Sequence, residues 1–372
     1  MIGTDVFIIA GEASGDSHAS NLINRIKSFK PDLSAEGIGG AKLESEGVKL
    51  IFNYSEVNFV GFQEIANNYK HIREKLFETR NYIIRTNPSA VILTDFPGFN
   101  LRLAKEIRSE YKGKIIYYIT PQVWAWHPGR VKQLRKYVDL CLVIFPFEEK
   151  FLKNEDVNAR YVGHPLIAPV DDFLKNREKK INPSPVVTIM PGSRLQEIKR
   201  ILPVLAVTAA EMIEKYGCRV NLLCSENIPG SVFDEFELHP EIRRVDSSLN
   251  YETIYDSDFV ITKFGTATLE CALLGTPFCA VYKSGGLNYY IAKMMIKTEF
   301  VSLVNIILEK EIVKEFIQKD FTKNNMIKEF LNVFNDDKYR NIMTAEFILL
   351  RNYFDNIIVE KSAPQLISEL IT

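Results

Sequence analysis

No two of the five cysteines (Cys141, Cys218, Cys224, Cys271, Cys279) stand as a CxxC pair, and most lie inside apolar runs. That argues against a disulfide framework or a zinc knuckle and for reduced core thiols. Net charge is nearly absent. Lys+Arg 46 against Asp+Glu 47 leaves −1, which argues against a general nucleic-acid binder. No stretch approaches the ~20 apolar residues of a membrane span, so membrane contact is expected to be peripheral at most. Met1-Ile2-Gly3-Thr4-Asp5 lacks a signal peptide's basic region and the apolar run behind it is short, so the expected location is the cytoplasm. The five histidines (His18, His71, His127, His164, His239) show no HExxH or related spacing, and no metal is expected. Low-complexity tracts and short-period repeats are missing too.

What is present is an ordinary globular composition, 46% apolar and 25% charged over 372 residues, enough for about two domains with separate cores. Strand and helix patterns alternate throughout, as in parallel sheets wrapped by helices. Strands are expected at Val6–Ala10, Ala90–Thr94, Ile115–Ile119 and Leu140–Phe145, with helices near 17–29, 66–86, 100–112 and 146–153. Pro165–Pro185 is polar and bracketed by prolines, the best linker candidate. A second series follows: strand 186–190, helix 197–216, strands 219–224 and 258–262, helix 266–274, strand 277–282, then mostly helix from about 287. The expected domains are 1–166 and 167–345, with helices in 346–372 that return to the first domain in one reading of the tail. The fold class is α/β, two Rossmann-like domains facing across a cleft, a layout that suits a transferase.

Two glycine-bearing turns in the second half carry the most chemistry. Pro191-Gly192-Ser193-Arg194 follows the apolar run Val186–Met190, and Gly265-Thr266-Ala267-Thr268-Leu269-Glu270 follows Phe259–Thr262. Each reads as a buried strand, a tight turn and a helix start, and a helix start offers unpaired N–H groups to phosphate. Arg194 suits a phosphate and Glu270 the hydroxyls of a ribose, so the pair suggests a sugar-nucleotide site.

In the first half, Gly11-Glu12-Ala13-Ser14-Gly15-Asp16 follows the first strand without the GxGxxG spacing of a dinucleotide site. Gly11 and Gly15 allow close backbone approach to a ligand; Glu12, Ser14, Asp16 and His18 offer polar contacts. Asp16 or Ser17 serves equally well as a helix cap. Strand Ala90–Thr94 delivers Asp95 to its carboxyl end, ahead of Phe96-Pro97-Gly98-Phe99-Asn100. Partial burial between the two phenylalanines would raise the pKa of Asp95 and suit a general base, and Asn100 is read as the cap of the next helix. Gln122, Trp124 and Trp126 in Pro121–His127 form either core or the wall of a ring-shaped or acyl ligand. His164 reads either as a hinge residue or as a donor contact.

These pieces together resemble the lipid-A-disaccharide synthase family: GEASGD (11–16), GIGG (37–40), TDFPGFN (94–100), PQVWAW (121–126), VGHP (162–165), PGSR with Glu197 (191–197), GTATLE (265–270) and KTEFVSLVN (297–305). The resemblance spans nearly the whole chain in order. It implies a GT-B glycosyltransferase that moves 2,3-diacylglucosamine from UDP, with inversion, to the 6-hydroxyl of 2,3-diacylglucosamine 1-phosphate. No cofactor or metal is implied; Asp256-Ser257-Asp258 spells a DxD but reads as the approach to a strand. By the same resemblance Asp95 is the base. Gly192, Ser193, Arg194, Gly265, Thr266, Ala267, Thr268, Glu270 and Asn305 hold the UDP-sugar. Gly11, Glu12, Ser14, Gly15, Asp16, Asn100, Gln122 and Trp124 line the acceptor side. The chain departs from the family at Phe264 (usually serine), Val304 (usually proline), Glu309-Lys310 (often Gly-Arg) and Gly98 (commonly acidic).

Charge is uneven along the chain. Residues 98–136 hold nine basic side chains against Glu106 and Glu110, which suits anionic lipid, a phosphorylated substrate or merely solvated helix faces. Phe59, Val60, Phe62 and Ile65 precede a helix bearing Lys70, Arg73, Lys75, Arg80 and Arg85, the composition of an interfacial contact with inner-membrane lipid or else of a packed face. A homodimer is left open. The rival readings are another GT-B enzyme, such as a UDP-sugar 2-epimerase or a transferase with a polyprenyl-linked acceptor, and a non-catalytic binder of nucleotide sugar or lipid.

Overall fold

Seven short parallel strands build the first sheet: β1 (Val6–Ala10), β2 (Ala35–Gly39), β3 (Lys49–Asn53), β4 (Ala90–Thr94), β5 (Lys114–Tyr118), β6 (Leu140–Val143) and β7 (Ala159–Tyr161), in spatial order β3-β2-β1-β4-β5-β6-β7. The structure, a computed structural model, describes residues 4–57, 68–124, 129–179, 181–226, 228–285 and 298–371. β1, β4 and β6 are buried along their whole length because helices cover both faces, which is why they read as unbroken apolar runs. One face is covered by helices Tyr69–Thr86, Pro97–Ile107 and Arg130–Tyr137, through Leu76, Ile83, Leu103, Ile107, Val131 and Leu134. The other is covered by helix Ala13–Lys27 and, from the end of the chain, helix Ala363–Leu370, with Ile367 and Ile371 beside Leu22 and Ile23. Each such buried aliphatic side chain contributes ~1.5–3 kcal/mol.

The second sheet has six parallel strands: β8 (Val186–Met190), β9 (Arg219–Cys224), β10 (Arg243–Asp246), β11 (Phe259–Lys263), β12 (Phe278–Tyr282) and β13 (Glu315–Ile317), in order β10-β9-β8-β11-β12-β13. Residues up to Pro165, joined by Ile357 onward, pack as one compact unit, and residues 166–285 with Thr298–Asn356 as the other. The tail therefore divides. Helix Asp337–Asp355 stays with the second unit, where Phe347 stacks on Phe278 at 5.7 Å, and the chain from Ile357 joins the first.

Several elements depart from the pattern-based reading. β2, β3, β7, β10 and β13 lack a strand signal, and Ala35-Glu36-Gly37-Ile38-Gly39 shows why: two glycines and a glutamate mask it. Gly37 is needed there, since a Cβ would stand 1.9 Å from the Ile8 carbonyl oxygen of the neighbouring strand. The proposed linker is partly ordered as helix Ile167–Leu174, which buries Val170 and sets Phe173 edge-on to Tyr251 and Tyr255.

Candidate active site

In both sheets the strand order reverses at the centre, between β1 and β4 in the first and between β8 and β11 in the second. Open parallel sheets bind ligands at the carboxyl ends of the strands flanking such a switch point. Ala10 pairs with Thr94, so Gly11 and Asp95 leave the first sheet side by side. The chain turns sharply there. Asp95 (φ 45°) and Phe96 (φ 48°, ψ 54°) are both left-handed, and so is Ile119 at the end of the neighbouring strand (φ 56°). Left-handed geometry at non-glycine residues costs ~1–3 kcal/mol each and persists where surrounding contacts hold it. Here the Asp95 carbonyl accepts from Asn100 Nδ2 at 2.7 Å and from the Tyr117 hydroxyl at 2.6 Å. Burial and the Asp95 charge keep the Tyr117 phenol well above its usual range, so it stays a neutral donor. The backbone of Asp95 is thus clamped while its side chain stays half-buried at the sheet edge.

Four readings of this edge need correcting. Asn100 is no cap: the helix begins at Pro97, and the Asn100 amide donates to the Thr94 and Asp95 carbonyls, wholly buried. The open side of Gly11 is taken by the chain itself, because a Cβ there would stand 2.1 Å from the Phe96 ring. Gly15 lies buried in helix Ala13–Lys27, where an added Cβ would make only ordinary contact with Ala10. Asp16 is 3% exposed, and its carboxylate accepts from the backbone N–H of Gly40 (2.7 Å), Lys42 (3.1 Å) and Leu43 (3.4 Å). It caps helix Ala41–Ser45, and Gly39 and Gly40 are glycines so that it can approach: a Cβ on Gly40 would be 2.8 Å from Asp16 Oδ2. GEASGD and GIGG are one structural joint. Of the first loop, Glu12 and Ser14 remain at the edge, with the Ser14 hydroxyl donating to Glu12 at 2.8 Å.

In the second unit Thr262 pairs with Met190, so the Pro191–Arg194 and Phe264–Thr268 turns are neighbours. Helix Thr266–Leu273 starts at Gly265 (φ 145°) with no side-chain cap, and Gly265 and Thr266 are exposed. Gly192 has φ 115°, and a Cβ on it would press against Glu197 Oε2 at 2.6 Å. Glu197 Oε1 accepts from Lys263 (2.8 Å) and from Arg194 (3.4 Å), holding Arg194 half-exposed at the first residue before helix Leu195–Tyr216. Ser193 is exposed beside it. Ala267 is half-buried in the second turn. Glu270 accepts from Asn250 Nδ2 at 3.0 Å, and burial raises its pKa against that bond. The sequence offered no sign of Lys263 or Asn250, since each acts only through an element distant in the chain.

Two donor-side expectations fail. Asn305 is fully buried with its amide wholly used. It donates to the Val313 carbonyl (2.8 Å) and Glu315 (2.9 Å), and accepts from the N–H of Ile312 (2.8 Å) and Val313 (3.0 Å). Thr268 is buried, and its hydroxyl donates to the Gly265 carbonyl within the turn at 2.7 Å. Asp258 lies at the amino end of β11, accepting from the Val186 N–H at 2.9 Å, so the DxD sequence stands at the opposite end of the sheet from both turns.

A family model described as Lipid-A-disaccharide synthetase matches residues 6–363. The chain belongs to the lipid-A-disaccharide synthase family. It is 32% identical over 378 residues to the lipid-A-disaccharide synthase of Coxiella burnetii (strain RSA 331 / Henzerling II), covering 100% of both chains. It is 36% identical over 353 residues to lipid-A-disaccharide synthase 1 of Legionella pneumophila subsp. pneumophila (strain Philadelphia 1), covering 93% of this chain and 92% of that one. Solved structures share the fold at much lower identity. A spinosyn forosaminyltransferase aligns with TM-score 0.61 at 11% identity over 99% of both chains. A UDP-GlcNAc 2-epimerase from Neisseria meningitidis, bound to UDP-GlcNAc, aligns with TM-score 0.58 at 12% identity over 98% of this chain and 97% of that one. Both sheets thus have the GT-B glycosyltransferase fold.

Where this member of the lipid-A-disaccharide synthase family departs from the pattern, the structure shows the setting of three positions. Phe264 is buried edge-on to Tyr282 at 6.3 Å, and Val304 is buried completely. Glu309 ends helix Leu303–Leu308 with φ 53°, the conformation that suits the glycine common there. His164 is buried 5.2 Å from the Phe145 ring, and burial followed by the charge of His18 pushes its pKa down to about 3, so it packs as a neutral residue in the first unit.

The Pro121–Trp124 segment is tied down by a residue the sequence did not flag. Trp124 Nε1 donates to Glu148 Oε1 at 2.9 Å, its ring meets Phe147 edge-on at 4.9 Å, and Glu148 Oε2 accepts from the Phe145 N–H at 3.1 Å. Gln122 beside it is half-buried; Trp126 and His127 lie outside the described residues. Burial raises the Glu148 carboxyl from 4.5 to about 7 against its hydrogen bonds. An acid with a raised folded pKa binds more protons folded than unfolded between the two values. Stability should therefore fall as pH climbs from about 4.5 to about 7, by about 3 kcal/mol, and level off on either side. Glu148→Gln is expected to flatten that slope in denaturant titrations across pH 4.5–7.5; an unchanged slope would place the proton elsewhere.

The basic helix Tyr69–Thr86 uses much of its charge locally. Lys75 pairs with Glu56 at 2.9 Å, Arg80 with Glu110, and Arg73 and Arg85 lie over the rings of Phe77 and Tyr82. Phe59, Val60, Phe62 and Ile65 lie outside the described residues. Among the described residues no helix is long and apolar enough to cross a membrane.

Proposed function

We propose that the chain condenses UDP-2,3-diacylglucosamine with 2,3-diacylglucosamine 1-phosphate, inverting the anomeric carbon and releasing UDP and the acylated disaccharide 1-phosphate. The family match over residues 6–363 carries the reading. In the proposed step Asp95 accepts the proton of the acceptor's 6-hydroxyl as oxygen attacks the anomeric carbon and the bond to UDP breaks. The uncapped N–H groups at Gly265–Ala267, with Arg194 held by Glu197, offset charge growing on the departing diphosphate. Glu270 takes the ribose hydroxyls, steadied by Asn250. Neither metal nor organic cofactor takes part, and the enzyme works at the inner surface of the membrane, where acylated substrates reside.

The test is UDP release measured with and without the acylated glucosamine phosphate, in excess chelator. Release that requires the acceptor, yields disaccharide and survives the chelator is the expected result. Release without acceptor would favour an epimerase or hydrolase. Binding of UDP-sugar with no turnover would favour a non-catalytic protein. Loss in chelator, restored by a divalent ion, would overturn the metal-free scheme.

A further inference from the structure

Of the nine basic residues in 98–136, three have an evident partner. Arg108 pairs with Asp139 at 2.7 Å, Arg135 donates to the Glu155 carbonyl at 2.7 Å, and Lys136 lies over the Tyr137 ring. Arg102, Lys105, Lys112, Lys114 and Lys132 are exposed. Arg130 differs: it is half-buried, and among the described residues no carboxylate forms an ion pair with it. It is the first residue of helix Arg130–Tyr137, which packs beside helix Pro97–Ile107 on one face of the first sheet. That second helix starts two residues after Asp95 and carries Arg102 one turn further on. Thr94 pairs with Tyr118, and the helices that begin at Pro97 and Arg130 follow these two neighbouring strands, so Asp95 and Arg130 lie at the same carboxyl edge of the sheet. Burial acts first to lower the Arg130 pKa; Tyr117 and Asp95 raise it and Arg102 lowers it, so each of the three stands within electrostatic reach of Arg130. A guanidinium stays protonated under such pressure. A partly desolvated guanidinium at the edge that carries the proposed base is relieved by an incoming anion, and the exposed Arg102 adds positive charge from the neighbouring helix.

We infer that Arg130, assisted by Arg102, is the subsite for the phosphomonoester of the acceptor sugar, which it holds next to Asp95. The inference rests on the reading of Asp95 as the base. A phosphomonoester brings close to two negative charges at neutral pH and terminal oxygens that match the guanidinium fork. Without a cation nearby, that anion would be repelled by the Asp95 carboxylate as the sugar approached. Arg130 removes the penalty and orients the ring by its charged end, so the subsite selects phosphorylated over neutral acceptors.

Calorimetry of the full-length protein with the diacylglucosamine 1-phosphate and with its dephosphorylated counterpart reads this directly, independent of turnover. The parent should prefer the phosphorylated sugar by about 10- to 100-fold, the range of hydrogen bonds to charged groups. Arg130→Gln should abolish most of that preference, Arg130→Lys should retain part of it, and UDP affinity should stay within about two-fold in both. Transfer assays should show the same change as a raised acceptor KM with little change in kcat. A parent that binds both sugars equally overturns the inference, as does an Arg130→Gln protein that keeps the full preference or loses affinity for both sugars alike. Loss of UDP affinity instead would assign the arginine to the donor, and loss of binding to phosphatidylglycerol vesicles alone would assign it to the lipid surface; either result overturns the subsite. A parent that binds with the expected preference yet transfers nothing would sink the proposed reaction and leave the subsite standing.

Discussion

Asp95→Asn is expected to lower kcat by about 10²–10⁴-fold, the usual loss when a general base is removed. UDP affinity and thermal stability should remain close to those of the parent. The separation follows from how the turn is held. The clamps from Asn100 and Tyr117 grip the Asp95 carbonyl, a backbone atom that the substitution leaves in place. The amide is nearly isosteric with the carboxylate, so the left-handed conformation at 95 and 96 should persist. Only the capacity to take a proton is lost. Steady-state kinetics with the acylated acceptor, beside UDP titration and a melting curve, give the three readings. An Asp95→Asn enzyme that turns over like the parent while folded would end the assignment.

Asp16→Ala should act on the fold, with the first unit destabilised by about 3 kcal/mol in denaturant titrations. Three backbone amides would lose a buried, charged acceptor, and helix Ala41–Ser45 would lose its cap. Asp16→Asn should fall between the two, because one oxygen can still serve Gly40 and Leu43 while the amide nitrogen faces the Lys42 N–H. Had Asp16 been an acceptor-binding residue, as the loop sequence suggested, both variants would raise acceptor KM at unchanged stability. That outcome would refute the structural role.

Much of the scaffold was legible residue by residue. β1, β4, β8 and β11 are buried on both sides, so their apolar runs announce them, and the turns after β8 and β11 follow from glycines with φ 115° and 145°. β2 was hidden because its residues were chosen for neighbours: Gly37 for the Ile8 carbonyl, Gly39 and Gly40 for Asp16. The same holds for the polar positions. Asn100, Asp16 and Asn305 look like ligand-binding residues in a one-dimensional reading and are instead buried hydrogen-bonding partners of the backbone. Glu148, Lys263 and Asn250 carry no signal in the sequence, although they hold Trp124, Glu197 and Glu270.

The amino-acid order alone determined the alternation of strand and helix, the places where glycine must bend the chain, and the family to which the motifs belong. These depend on local conformational preference and on short patterns that lie within a few residues. Only the tertiary structure decided which polar side chains serve the backbone and which remain at the strand ends for chemistry. A buried N–H or C=O must find its partner wherever the fold brings one, and that partner is often far away in sequence.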